Sequence, residues 1–184
     1  MTQGYTMFAN DGIVSEARFF TMIRNSNDEV IIDNQGNSNQ TAAVSDRTAY
    51  IMTSMLKNVV ELPTGTGYSV FSTYRTFNDA VEVCGKTGST NDDRDRYFVG
   101  YTPDFTAAVW FGYDNNKSLG SFSYNPATRL WVEVFNRIYE KYDGEGLYYQ
   151  TKFNRPSGIV EVAYCSISGK KPTEACKIDL QTVT

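Results

Sequence analysis

Apolar and polar positions change period several times along this chain, and each change predicts an element. Residues 2–10 carry a short helical pattern that stops at Asn10-Asp11-Gly12, a helix-ending cluster. Residues 17–24 and 29–33 are short strand-like runs separated by Asn25-Ser26-Asn27-Asp28, which predicts a hairpin. Residues 34–44 are polar and rich in Asn and Gln, and read as a surface loop. A strong helix is predicted over 46–60, capped by Ser45 or Asp46, with Ile51, Met52, Met55, Leu56 and Val59 on its apolar face. Leu62-Pro63 and Gly65-Thr66-Gly67 end it. The stretch from Tyr68 to Asp79 has no clear period.

Ala80-Val81-Glu82-Val83-Cys84 reads as a strand running into Gly85-Lys86-Thr87-Gly88. A polar turn follows over 90–95, then two strands, 97–101 and 105–113, joined by Thr102-Pro103-Asp104. Together these predict a three-stranded antiparallel meander. Asn125-Pro126 opens a second strong helix, with Ala127, Trp131, Val134, Ile138 and Tyr142 on one face and Asp143-Gly144 at its end. The tail holds one more strand-like run, Ile159 to Ala163. No internal repeat is visible. The expected fold class is α+β, an antiparallel sheet of at least three strands flanked by two main helices.

Composition narrows the function classes. Hydrophobic residues at 41% and charged residues at 21% over 184 positions suit one globular unit with a real core. The net charge of -4 and the lack of a basic stripe argue against nucleic acid as a partner. The chain has no His, which removes a Ser-His-Asp triad and the commonest zinc ligand. Its three cysteines, Cys84, Cys165 and Cys176, have no CxxC spacing, so a zinc site is not expected. No cofactor is expected either. A Cys165–Cys176 disulfide in an oxidising compartment and two unpaired thiols both fit.

The one informative constellation is Lys86-Thr87-Gly88-Ser89-Thr90 at a strand end. Lys86 offers a fixed positive charge. Thr87 and Ser89 are two residues apart, so their hydroxyls share a face. Gly88 lets a ligand backbone approach. A peptide carboxylate lying against the hydroxyls, with its main chain added to the strand, would satisfy all of these groups. The bare triplet is weak, because an ordinary strand end with a solvated lysine reads the same way.

Its surroundings carry more weight. Gly85 to Asn91, then Asp95-Arg96-Tyr97-Phe98-Val99-Gly100-Tyr101-Thr102-Pro103, then Ala108-Val109-Trp110-Phe111-Gly112-Tyr113-Asp114, closely resemble the class A (bifunctional) penicillin-binding proteins. The resemblance extends to Gly4–Gly12, Met52–Val60 with Gly65-Thr66-Gly67, Pro126–Trp131 and Ser168–Cys176, in the family's order. It implies part of a penicillin-binding/β-lactamase-like transpeptidase fold. It also implies a D,D-transpeptidase that cross-links peptidoglycan stem peptides through a serine acyl-enzyme, which β-lactams trap as mimics of D-Ala-D-Ala. On that resemblance Lys86 supplies charge near the substrate carboxylate and the proton-transfer network. Thr87 and Ser89 bind the carboxylate, with Gly88 and Thr90 beside them, and the Ser89 amide is one oxyanion-hole donor. The family more often has Thr where Ser89 stands, and the hydroxyl is kept.

The nucleophile is the missing part. Ser54-Met55-Leu56-Lys57 fits S-x-x-K, but the family's serine lies much further ahead of the K-T-G strand. Ser123-Tyr124-Asn125 and Ser89-Thr90-Asn91 fit S-x-N, the first in the wrong order and the second on the K-T-G strand itself. Cys84 reads as a buried small residue, and Asp92-Asp93-Arg94-Asp95 as a solvated turn. The expectation is therefore a C-terminal portion of the transpeptidase domain over 1–147 and a tail over 148–184, inactive alone. It would need the N-terminal half, and it would come from a membrane-anchored parent on the extracytoplasmic face of a bacterial membrane. No signal peptide or apolar span is visible, and residues 2–9 read as the middle of a helix, so the chain is expected to begin inside a fold. The alternatives are a non-catalytic module that binds cell-wall peptide or a partner, and a serine β-lactamase-type hydrolase.

Overall fold

A computed structural model describes residues 1–36, 39–165 and 168–172, and the backbone of 180–183. The chain runs through α1 (Thr2–Ala9), β1 (Ile13–Ser15), β2 (Met22–Arg24), β3 (Val30–Asp33), β4 (Gln40–Ala42), α2 (Asp46–Glu61) and α3 (Tyr68–Tyr74). It continues through β5 (Cys84–Ser89), β6 (Asp95–Tyr101), β7 (Thr106–Gly112), α4 (Pro126–Glu145), β8 (Val162–Cys165) and β9 (Leu180–Val183). The expected fold class holds: antiparallel sheets flanked by helices.

The central sheet has the order β5-β6-β7, all antiparallel, as the meander predicted. Its register sorts the side chains onto two faces. Cys84, Lys86 and Gly88 lie opposite Tyr101, Val99 and Tyr97; Gly85, Thr87 and Ser89 lie opposite Gly100, Phe98 and Arg96. Each face carries its own apolar cluster. On one, Leu56 of α2 packs with Cys84 and Tyr101, joined by Tyr5 and Phe8 of α1 and by Phe153 of the tail. On the other, Phe98 packs with Phe71 of α3 and with Trp131 and Phe135 of α4. Phe98 needs room there, and two glycines provide it: a Cβ at Gly85 would lie 2.5 Å from its ring, and one at Gly100 2.6 Å.

The caps follow the sequence signals. Ser45 accepts from the Thr48 amide at the start of α2, and Asn125 from the Ala127 and Thr128 amides at the start of α4. The buried faces keep Leu56, Ala127 and Trp131 as predicted and are otherwise rotated. α2 buries Ala49, Thr53, Leu56 and Val60 and exposes Ile51 and Met55. α4 buries Ala127, Thr128, Trp131, Val132, Phe135, Asn136 and Tyr139 and exposes Val134. In both, a small or polar residue with an internal hydrogen bond takes a place given to a hydrophobe. Asn136, for example, donates to the Tyr74 carbonyl and accepts from the Thr76 amide. α4 also runs on through Gly144 and stops at Gly146, which adopts the left-handed conformation, φ 65°.

Other boundaries shift for local reasons. Residues 80–83 are not a strand: Arg75 binds the carbonyls of Asn78 and Val81, and the Glu82 amide donates to Thr151 of the tail. The ladder therefore starts at Cys84. Residues 68–74, which lacked a period, form α3. The polar 34–44 segment contains β4, whose three exposed residues pair with β1. The 22–24 and 30–33 hairpin is present, but 17–21 is irregular where Arg18 reaches across to the carbonyls of Asn34 and Gln35. In the tail the strand begins at Val162, after Arg155 has bound the Ile159 carbonyl and the Glu161 carboxylate. Cys176 lies outside the described residues, so the disulfide expectation does too.

Candidate functional site

β5 is an edge strand of its sheet, and its free edge carries the residues singled out in the sequence. The Thr90 amide donates to the Asp95 carbonyl at 3.2 Å, directed at β6. Antiparallel strands alternate the direction of their peptide groups. The amides of Gly88 and Lys86 therefore also face β6, while those of Ser89 and Thr87 face the open edge. The exposed Lys86 ammonium curls to this same edge, donating to the Thr87 carbonyl at 3.0 Å. Gly88 faces the half-buried Tyr97 across the ladder, with Tyr97 Cβ 3.1 Å from where a Gly88 Cβ would sit.

The turn after β5 is pinned. Thr90 donates to the Asp95 carboxylate and accepts from the Asp95 amide, and Trp110 of β7 donates to the same carboxylate at 2.8 Å. Asp93 takes Arg96 at 2.6 Å, and Asp92 pairs with Arg94 at 3.4 Å. Asp92 and Asp93 hold positive φ, 59° and 51°, within a single 3-10 turn. The Asp-rich run is a self-satisfied turn.

One participant carried no signal for this role in the sequence. Thr66, on the turn between α2 and α3, places its hydroxyl 2.6 Å from that of Thr87. In sequence it was part of a glycine-rich helix stop, and no local pattern linked it to a strand some twenty residues on.

The S-x-x-K look-alike lies elsewhere. Ser54 and Lys57 line a cavity of about 150 Å³ with Tyr50, Thr53, Glu82, Phe153 and Glu161, and none of residues 86–90 lines it. Lys57 is committed to Glu82 at 2.8 Å, with Glu61 at 3.8 Å. Burial opposes the charge on Lys57, but the Glu82 hydrogen bond and the charges of Glu61 and Glu82 outweigh it, and its pKa is raised. An amine held protonated is a poor base for activating a serine. Ser123-Tyr124-Asn125 is likewise absorbed by structure: Asn125 caps α4 and donates to the Tyr97 carbonyl. Cys84 is fully buried, and its thiol donates to the Thr53 carbonyl at 3.2 Å. Burial pushes its pKa well up, the opposite of an activated thiol.

Residues 1–140 match the family model for the penicillin binding protein transpeptidase domain, and residues 155–184 that for the penicillin-binding protein 1A C-terminal domain. Penicillin-binding protein 1A of Clostridium perfringens is 30% identical over 179 residues, 97% of this chain and 20% of that protein. Penicillin-binding protein 1A/1B of Bacillus subtilis is 35% identical over 88% of this chain and 18% of that protein. The chain thus spans about a fifth of the length of the curated relatives it matches. Among solved structures, penicillin-binding protein 1A from Haemophilus influenzae superposes with a TM-score of 0.70 at 16% identity, over 99% of this chain and 31% of that one. The PonA1 protein from Mycobacterium tuberculosis, solved in complex with penicillin V, gives 0.62 at 19% identity over 86% of this chain and 40% of that one. Among the described residues no helix is long and apolar enough to cross a membrane. With three-quarters of its length matching the family model and the fold shared throughout, this chain belongs to the penicillin-binding protein transpeptidase domain family.

Proposed function

We propose that this chain is the C-terminal part of the transpeptidase domain of a class A, bifunctional penicillin-binding protein, and that it supplies one wall of the D,D-transpeptidase cleft. Residues 1–147 would form that part of the domain and 148–184 its tail. The observation that carries the reading is the open edge of β5. There the Lys86 ammonium and the outward amides of Thr87 and Ser89 lie on a strand whose Thr87 and Ser89 side chains share one face.

A stem peptide ending in D-Ala-D-Ala would add to this edge as an antiparallel strand. Its carboxylate would take the Thr87 and Ser89 hydroxyls, with Lys86 as the countercharge. Gly88 leaves the strand low enough for the peptide to approach, and the pinned Thr90 turn bounds the site. The serine of the missing N-terminal half would attack the penultimate D-Ala carbonyl. The Ser89 amide would then stabilise the oxyanion, which forms only at the tetrahedral stage. The terminal D-Ala would leave with the proton taken from the serine, and an amine of a neighbouring stem peptide would take the acyl group. β-Lactams would enter by the same edge and remain as the acyl-enzyme. The parent protein would be membrane-anchored and work on the extracytoplasmic face of a bacterial membrane. Lacking the nucleophile, the chain alone would be inactive.

The test is labelling by a fluorescent penicillin of the chain alone and of the chain mixed with the nucleophile-bearing portion. The reading expects no covalent label on the chain alone, label on the complementing portion, and loss of that label when Lys86→Ala is used. Label on the isolated chain, or none in the mixture, overturns it.

A further inference from the structure

We infer that Thr66 is a positioning residue for the Thr87 hydroxyl, setting the direction in which Thr87 can donate to an anionic ligand. The inference rests on the assignment of Thr87 to carboxylate binding made above. The two Oγ1 atoms are 2.6 Å apart, and each hydroxyl has one proton to give. If Thr87 donates to Thr66, it meets an incoming carboxylate with lone pairs alone, and the contact is repulsive. If Thr66 donates to Thr87, the Thr87 proton is free to turn to the carboxylate. Accepting one hydrogen bond also strengthens a hydroxyl as a donor. A carboxylate therefore selects the arrangement in which Thr66 donates.

The placement of Thr66 is built into the backbone around it. The Gly65 amide donates to the Leu62 carbonyl at 2.7 Å and the Gly67 amide to the Val59 carbonyl at 2.9 Å. A Cβ at Gly65 would lie 2.4 Å from the Val59 carbonyl oxygen, and one at Gly67 3.2 Å from it. The turn is pressed onto the last turn of α2, and glycines on both sides of Thr66 make that approach possible. Thr66 itself is exposed, so the position it holds is not required to fill a core.

The experiment uses the chain combined with the nucleophile-bearing portion. Acylation rates are measured with a penicillin bearing its free carboxylate and with the methyl ester of the same penicillin. Thr66→Val is expected to slow the free acid about tenfold, the scale of one hydrogen bond to a charged group, and to leave the ester rate unchanged. Thr66→Ser should restore the free-acid rate, and Thr66→Val with Thr87→Val should be no slower than Thr87→Val alone. Equal losses on both penicillins, or additive losses in the double variant, overturn the inference. If Thr87→Val is slowed and Thr66→Val is not, the inference alone fails. If Thr87→Val acylates at the unaltered rate, or the unsubstituted mixture is not acylated, the assignment of Thr87 fails and takes the inference with it.

Discussion

The Lys57 ammonium lies 2.8 Å from the Glu82 carboxylate, and this pair ties three parts of the chain together at the start of β5. Lys57 comes from α2, Glu82 from the segment just ahead of the strand, and the Phe153 amide of the tail donates to the second Glu82 oxygen at 3.0 Å. Replacing Lys57 by Met should lower the stability of the chain by about 1–2 kcal/mol, because the half-buried Glu82 loses its principal partner. Chemical denaturation checks this. An unaltered midpoint would show that the pair contributes nothing to the fold.

The pair also sets a pH dependence. Burial alone would raise the Glu82 pKa, but the hydrogen bonds from Lys57 and the Phe153 amide bring it below its ordinary value. A carboxyl held lower in the folded state contributes stability above its unfolded pKa, and that contribution is lost as pH falls through the folded value. Lys57 is raised, so its contribution is full below its unfolded pKa and is lost as pH rises through the folded value. Glu82→Gln should therefore flatten the acid limb of the stability profile. Thermal melts from pH 7 down to pH 3 test it, and an unchanged acid limb would show that Glu82 gains nothing on folding.

The glycines beside Phe98 link the core to the site, since Phe98 is the register partner of Thr87. Gly100→Ala brings a methyl group to 2.6 Å from the Phe98 ring and 2.9 Å from Trp131. Both rings are buried with no slack, so a loss of about 1–3 kcal/mol is expected. A midpoint unchanged in urea would mean that the rings can shift.

These relationships explain what could and could not be read from the residues alone. The meander was legible because its last two strands are runs of aromatic and β-branched residues joined by short polar turns, and the caps at Ser45 and Asn125 followed from side-chain chemistry. The buried polar positions of α2 and α4, unlike Leu56, Ala127 and Trp131, were not legible. Thr53 and Asn136 are buried because distant groups satisfy them: Thr53 meets the Phe8 carbonyl and the Tyr101 hydroxyl, and Asn136 the backbone at Tyr74 and Thr76. Residues 80–83 look like a strand locally, and only the reach of Arg75 and of the tail diverts them. In the candidate site the strand residues were visible as a motif, whereas the Thr66 contact depends on how α2 ends against β5. That is a long-range fact no local period encodes.

A buried pair formed by α4 and the residue that follows β6 offers a further check on the fold that carries the site. The Tyr139 hydroxyl donates to the fully buried Thr102 hydroxyl at 2.8 Å, and burial pushes the Tyr139 pKa up to about 12. Thr102→Val should cost about 1–3 kcal/mol, because it leaves a buried phenol without its acceptor. Urea unfolding of the variant measures this, and a neutral result would place the Tyr139 hydroxyl in contact with water.

If this chain brings the substrate-binding wall of a transpeptidase cleft, as proposed, the nucleophile belongs to another stretch of polypeptide. Intact-mass spectrometry after exposure to benzylpenicillin decides this, with the chain and the nucleophile-bearing portion resolved as separate species. The penicilloyl adduct is expected on the nucleophile-bearing portion alone, formed only when this chain is present, with this chain at its unmodified mass. An adduct on this chain, mapped by digestion to Ser54 or to any other residue, would contradict it.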